Sequence, residues 1–132
     1  MADTLPVLIV SSRAAHRDRI AEVVRRCGLR PVFAPSLSDA RSILTEMRPA
    51  IIFCGEDLPD SDLRASLATL TAEARVPVIA LSSLAEWTSC LEAFSAGAFD
   101  YIACPPDPKE AERIVRLALD YGREPHAKRS AA

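Results

Sequence analysis

Small polar and acidic residues stand at the ends of four short apolar runs of the sequence. Carboxylates, hydroxyls and thiols can act as nucleophiles or hold a cation, so such residues are candidates for a functional site. They are Ser11 and Ser12, then Gly55, Glu56 and Asp57, then Ser82 and Ser83, and finally Cys104. They form one site if the four runs end at the same edge of a sheet.

The apolar runs have the composition of strands in a parallel sheet. Val7–Val10, Ile51–Cys54 and Val78–Leu81 are apolar on both alternating faces, as strands covered on each side require. Two weaker strands are predicted at Pro31–Ala34 and Tyr101–Ala103, and the proline favours an edge position for the first of them. Each interval between strands is long enough for one crossover helix.

Five stripes of apolar residues at helical spacing fill those intervals and follow the last strand. They are Ile20, Val23, Val24 and Cys27; Ala40, Ile43, Leu44 and Met47; Leu63, Leu67 and Leu70; Leu84, Leu91 and Phe94; and Ile114, Leu117, Ala118 and Tyr121. Gly28 and Gly97 suit helix ends, Ser36 with Asp39 suits a capping box, and residues 107–110 suit a helix start. The element order predicts an α/β fold of the flavodoxin-like type. It is a doubly wound, five-stranded parallel sheet of order 2-1-3-4-5 with helices on both faces.

Three stretches resemble the signature segments of response-regulator receiver domains. They are residues 49–59, 77–83 and 97–105, and with the first strand the similarity extends over residues 5–121. The resemblance implies a CheY-like receiver domain at 5–121, followed by a flexible tail at 122–132. It further implies a role in a bacterial two-component pathway or a related phosphorelay.

The positions that carry phosphoryl chemistry in that family are changed in this sequence. There, two acidic residues after the first strand hold Mg²⁺, an Asp accepts the phosphoryl group, and a Lys neutralises it. The corresponding residues are Ser11 and Ser12, Gly55 and Cys104. Because phosphoryl transfer needs a nucleophile, a divalent cation and fixed cationic donors, the resemblance predicts a pseudo-receiver. Such a chain is not an enzyme, holds no metal or cofactor, and signals by protein contact.

Two features of the family are retained, and one peptide geometry follows from the resemblance. Ser82 stands at the hydroxyl position after the fourth strand, and Tyr101 stands at the position of the switch aromatic. The corresponding Lys–Pro bond is cis in the family, so the Cys104–Pro105 bond is predicted to be cis.

Other readings of the same residues remain open. Glu56 or Asp57 could replace the acceptor, although strand alternation points Glu56 to the opposite face from position 55, and these residues with Asp60 and Asp62 otherwise suit a solvated acidic loop. The altered pocket could bind a small anion or metabolite. A small flavodoxin-like enzyme is a further alternative, but no Gly-rich phosphate loop supports it.

The predicted partner is a protein: a signalling kinase, an effector or a second copy of the chain. The fourth helix, fifth strand and fifth helix are expected to form the contact, with Trp87 and Tyr101 near it, because aromatic residues supply much contact energy. Trp87 shares a stripe with Leu84 and could instead be core. Six arginines around the first helix form a solvated basic face or dock an acidic partner. They are Arg13, Arg17, Arg19, Arg25, Arg26 and Arg30.

Composition limits the remaining classes of function. The 132 residues are 49% apolar and 26% charged with a net charge of −2, which fits one globular domain and disfavours a nucleic-acid binder. No apolar run has the length of a membrane helix, and the expected location is the cytoplasm. The four cysteines form no Cys-x-x-Cys pair and are predicted to be buried free thiols, and neither histidine has metal ligands at suitable spacing.

Overall fold

A computed structural model describes residues 4–83, 91 and 93–123, and within them five parallel strands form one sheet. The strands are β1 (Pro6–Val10), β2 (Arg30–Ala34), β3 (Ile51–Gly55), β4 (Val78–Ser82) and β5 (Asp100–Ala103). Their order is β2-β1-β3-β4-β5, so the predicted flavodoxin-like topology is confirmed. β2, which contains Pro31, is an edge strand as its proline indicates.

Four helices are assigned bounds in the described part of the chain. They are α1 (Ala14–Arg26), α2 (Leu37–Leu44), α3 (Leu63–Ala74) and α4 (Pro108–Arg123). α4 is the fifth helix predicted from the sequence, because most of the fourth predicted helix, including Leu84 and Trp87, falls outside the described residues. Residues 91 and 93–95 are helical. α4 continues to Arg123, two residues beyond position 121.

The core has two layers, one on each face of the sheet. Val7 and Ile9 of β1 face the layer that contains α1 and α4, whereas Leu8 and Val10 face the layer that contains α2 and α3. All residues of β3 and β4 are buried. This two-sided burial explains why these strands read as continuous apolar runs.

Two of the predicted apolar stripes point away from the sheet in part. In α4 the residues in the core are Ala111, Ile114, Val115 and Ala118, while Leu117 is 47% exposed. Leu91 and Phe94 of the fourth stripe are 46% and 48% exposed, although Ala93 between them is buried. The prediction for these large residues was wrong because the helices turn other residues to the sheet: Ala111 and Val115 join Ile114 and Ala118 in α4, and Ala93 is buried in the other segment.

The local signals for helix ends are confirmed. Ser36 accepts a hydrogen bond from the Asp39 amide at 3.0 Å and donates one to the Asp39 carboxylate. Asp107 accepts from the Glu110 amide at the start of α4. Gly28 and Gly97 have φ of 78° and 104°, values in the region that favours glycine.

None of the described helices is long and apolar enough to cross a membrane. The cysteines differ in burial: Cys54 is buried, whereas Cys27 and Cys104 are only partly buried, and all three are free thiols. The prediction that the thiols are buried is therefore right for Cys54 and wrong for the other two. Cys90 lies outside the described residues.

Candidate functional site

The sheet brings four of the predicted site positions together at the carboxyl ends of its strands. Val10 is paired with Cys54, Gly55 with Leu81, and Ser82 with Ala103, so β1, β3, β4 and β5 end together. Ser11, Gly55, Ser82 and Cys104 consequently lie around the carboxyl ends of the strands, where ligand sites of doubly wound sheets are found.

Position 55 has no side chain, and a side chain there would make one tight contact. A Cβ atom on Gly55 would lie 3.3 Å from Ser11 Oγ and 3.4 Å from the Val10 carbonyl oxygen. Ser11 is buried, with 3% of its surface exposed, and its hydroxyl accepts a hydrogen bond from the Arg13 amide at 3.1 Å. A side chain at position 55 would therefore need a small shift of the Ser11 hydroxyl.

The loop after β1 is tied to the loop after β3 through Asp57. The Ser12 hydroxyl donates to the backbone carbonyl of Asp57, and Arg13 Nε lies 2.5 Å from Asp57 Oδ2. Both side chains of the ion pair are about half exposed (53% and 47%), so the pair contributes little to stability. Its structural effect is to place a guanidinium beside the site.

Glu56 reaches the end of β4 and is held there by three donors. Ser82 Oγ donates to Glu56 Oε2 at 2.7 Å, and the Ser83 amide and hydroxyl donate to Oε1 at 2.7 and 2.5 Å. Gly55 is paired with Leu81, so the next position of the register brings Glu56 opposite Ser82. Glu56 therefore points to the opposite face from position 55, as strand alternation predicts, and that face carries the Ser82 hydroxyl.

The rest of the acidic loop is exposed, and its carboxylates also accept hydrogen bonds. Asp60 accepts from the amides of Leu37 and Ser38, both at 2.9 Å, at the start of α2. Asp62 accepts from the Ala65 amide at 2.7 Å and caps α3. The prediction of a solvated loop is therefore confirmed for Asp57, Asp60 and Asp62, while Glu56 is partly buried; amides at helix starts, which lack partners in their own helix, bind two of the exposed carboxylates.

The hydrogen bonds at the site set the charge of Glu56. Burial raises the pKa of this carboxyl, but the bonds from Ser83 and Ser82, together with the Arg13 charge, outweigh burial and lower the pKa below its usual value. The two amides at the start of α2 lower the pKa of Asp60 in the same way. Glu56 is therefore a carboxylate at neutral pH.

Cys104 supplies no cation to this site. Burial, followed by the negative charge of Glu56, raises the pKa of its thiol to about 11. The thiol is therefore neutral at pH 7. The Cys104 amide donates to the Ser82 carbonyl at 2.7 Å, and the following bond to Pro105 is cis, the isomer that the sequence predicts.

The donor set at the strand ends does not fit Mg²⁺, the ion that receiver domains use. Magnesium prefers carboxylate oxygens, whereas the first strand is followed by two hydroxyls that already contact Arg13 and Asp57. The carboxylates of Glu56 and Asp57 are bound to serines and to an arginine. Across the described ranges, no group of three His, Cys, Asp or Glu residues is arranged to hold a metal.

Sequence reasoning missed the roles of Glu56, Ser83 and Arg13. Arg13 was grouped with the basic face of the first helix, and Ser83 was noted at the strand end without a partner. One signal was available in the sequence. Gly55 and Ser12 lack the carboxylates of the family, but Gly55 is followed by the carboxylate of Glu56 and Ser12 is followed by the cation of Arg13.

The two aromatic residues predicted for the contact surface have different outcomes. Tyr101 is partly buried and packs against the core layer that contains α2 and α3. Trp87 lies outside the residues that the structure describes.

Comparison with known proteins gives a family and a fold. The model of the response regulator receiver domain matches residues 7–116. The chain is 31% identical over 113 residues to the KDP operon transcriptional regulatory protein KdpE of Escherichia coli, covering 86% of this chain and 50% of that protein. It is 28% identical over 114 residues to the regulatory protein AtoC of E. coli, covering 86% of this chain and 25% of that protein. The chain thus spans half or less of the length of these two relatives.

Solved structures show the same fold at lower sequence identity. A two-component response regulator from Clostridium difficile superposes with a TM-score of 0.84 at 18% identity, covering 92% of this chain and 100% of that one. A putative response regulator from Chloroflexus aurantiacus gives a TM-score of 0.82 at 23% identity, covering 89% and 99%.

Proposed function

The chain belongs to the response regulator receiver domain family, and we propose that it is a receiver that signals through protein contacts without accepting a phosphoryl group. Receiver domains are signalling modules of two-component systems. We further propose that residues 5–121 form the signalling unit and 122–132 its tail.

The observation that carries this proposal is the state of the acceptor position. Gly55 has no carboxylate, and a Cβ atom at this position would make a tight contact of 3.3 Å with the Ser11 hydroxyl. The adjacent carboxylate, Glu56, is turned to β4 and bound by Ser82 and Ser83. No free nucleophile therefore stands where the family places one.

The charges around the site support the same conclusion. Transfer of a phosphoryl group to a carboxylate requires a cation that neutralises the developing charge. Ser11 and Ser12 do not provide metal ligands, and the Cys104 thiol is neutral. The guanidinium of Arg13 is near, but it is paired with Asp57.

Intact-mass spectrometry tests the proposal directly. The protein is incubated with acetyl phosphate and Mg²⁺, with a phosphorylatable receiver treated in parallel as a positive control. We expect the mass of this chain to stay unchanged while the control gains a phosphoryl group. A phosphoryl adduct that disappears in Asp57→Asn or Glu56→Gln would overturn the proposal and identify the acceptor.

We propose that the partner surface lies along β5 and the helices beside it. β5 is an edge strand, and the large apolar residues Phe94, Leu117 and Tyr121 are 48%, 47% and 37% exposed. Ala93 packs on one face of the sheet and Ile114 on the other, so the two helical segments flank this edge. Exposed apolar groups of this kind favour a protein contact.

Sedimentation velocity over a range of concentrations tests self-association through this surface. We expect Leu117→Glu to abolish concentration-dependent dimerisation. Leu5→Glu is the matched control, because Leu5 is 50% exposed but precedes β1, away from β5. Equal loss of dimer in both variants, or a dimer that Leu117→Glu leaves intact, would count against this surface.

A further inference from the structure

Three hydrogen-bond donors converge at the end of β4 on one small volume. They are the Ser82 hydroxyl, the Ser83 hydroxyl and the Ser83 backbone amide. Ser82 is only 2% exposed, and its carbonyl accepts a hydrogen bond from the amide of Cys104, the residue after β5. The backbone that carries these donors is thus fixed at Ser82 by the sheet, and Ser83 follows it directly.

Converging hydroxyl and amide donors are the arrangement that binds oxyanions. In this molecule the anion is the Glu56 carboxylate, and both of its oxygens are used: Oε2 by Ser82 and Oε1 twice by Ser83. The distances, 2.5 to 2.7 Å, are those of hydrogen bonds to a charged acceptor. The nearby Arg13 charge also favours the ionised form.

We propose that Ser82 and Ser83 form an oxyanion-binding corner whose ligand is the chain's own Glu56 carboxylate, and that removing this carboxylate opens the corner to free carboxylate or phosphate ions. The inference deepens the proposed function, on which it rests, because it names the group that holds the site where phosphorylation does not occur. Ser83, the residue directly after β4, is then held by the loop after β3.

The pairing of β3 with β4 makes Glu56 a strong competitor, because it holds this residue beside Ser82. A group that is part of the same molecule and is held near its donors acts at an effective concentration on the order of millimolar or more, and it loses little entropy on binding. Free anions at lower concentration therefore do not displace it. The alternative interpretation of the altered pocket was that it binds a free small anion. In the unaltered protein, Glu56 prevents such binding because its carboxylate already occupies the donors.

Titration followed by ¹H–¹⁵N NMR of the Ser83 amide tests the inference. Acetate and inorganic phosphate are added in turn to Glu56→Ala, with sodium chloride at equal ionic strength as the reference. We expect a saturable shift of the Ser83 amide with acetate or phosphate and not with chloride. The acetate-bound resonance should move toward its position in the unaltered protein, because a carboxylate again occupies the corner.

Asp57→Ala is the matched control, since it removes the neighbouring carboxylate and leaves the corner filled. We expect neither this variant nor the unaltered protein to show a saturable shift. Responses to acetate, phosphate and chloride that are equal in Glu56→Ala, or no response to any of them, would overturn the inference. So would a saturable shift of the same size in Asp57→Ala.

Glu56→Gln provides a second measurement that keeps the volume of the side chain. Loss of the negative charge weakens the bond from the Ser83 amide, so its proton resonance should move upfield, and an unchanged resonance would contradict the inference. Failure of the proposed function is a separate result, because it is seen as a phosphoryl adduct on the unaltered protein and not in these spectra.

Discussion

Removal of the Glu56 carboxylate should destabilise the fold more than removal of its neighbour Asp57. In Glu56→Ala, three donors lose a charged acceptor. Hydrogen bonds to charged groups contribute about 1.5 to 3 kcal/mol each when buried. Water replaces the lost acceptor for the exposed Ser83, but the Ser82 hydroxyl is 2% exposed and has less access to water.

Because water compensates part of the loss, the expected cost of Glu56→Ala lies at or below the low end for one such bond, about 1 to 2 kcal/mol, or about 5- to 30-fold in the unfolding equilibrium. Asp57→Ala removes a half-exposed ion pair with Arg13 and should cost less than about 1 kcal/mol. Urea denaturation at pH 7, with circular dichroism as the signal, measures both values. Ser82→Ala combined with Glu56→Ala should cost less than the sum of the single changes, because the pair shares one bond.

The sign of the pH dependence follows from the lowered pKa of Glu56. A carboxyl whose pKa is lower in the folded state stabilises the fold above its ordinary pKa of about 4.3, and this contribution is lost as the pH falls through the folded-state pKa. The difference in unfolding free energy between the unaltered protein and Glu56→Ala should thus narrow below about pH 4. Equal destabilisation by Glu56→Ala and Asp57→Ala at pH 7, or a difference that grows in acid, would refute the reasoning.

Three further predictions concern single positions. Gly28 and Arg75 have φ of 78° and 56°, a region that favours glycine. Gly28→Ala should therefore lower the free energy of unfolding by about 1 to 2 kcal/mol, and Arg75→Gly should raise it. Urea denaturation measures both changes, and a change of the opposite sign in either variant would contradict this reasoning. The Cys104 thiol, with a pKa of about 11, should react slowly with iodoacetamide at pH 8, and its alkylation rate should rise about tenfold per pH unit. Mass spectrometry of the digested protein measures this rate, and a rate that levels off near pH 8.5 would contradict the raised pKa. Gly55→Asp alone should gain no phosphoryl mass from acetyl phosphate, since Ser11 still supplies no metal ligand and crowds the new Cβ at 3.3 Å, whereas an adduct would show that the acceptor was the one missing part.

The partly exposed apolar residues show where sequence patterns reach their limit. Helical spacing placed Leu117 in the stripe of the last helix, and the helix is present, but its buried face contains Ala111 and Val115 beside the predicted Ile114 and Ala118. Small residues carry a weak hydrophobic signal, yet they decide how closely a helix can approach a strand. The existence of the helix was thus readable from the sequence, whereas its rotation about its own axis depended on the packing partner.

The sequence by itself determined the features that depend on neighbours along the chain. The apolar runs of β1, β3 and β4 required burial on both faces, Ser36 and Asp107 marked helix starts, and Gly55 has no carboxylate by its identity alone. Tertiary structure decided where Glu56 and Arg13 point. Their partners, Ser82 and Asp57, lie 26 and 44 residues away along the chain. The register of β3 against β4 brings Glu56 opposite Ser82, and the loop after β3 brings Asp57 to Arg13, so these contacts depend on how distant segments pair in the sheet.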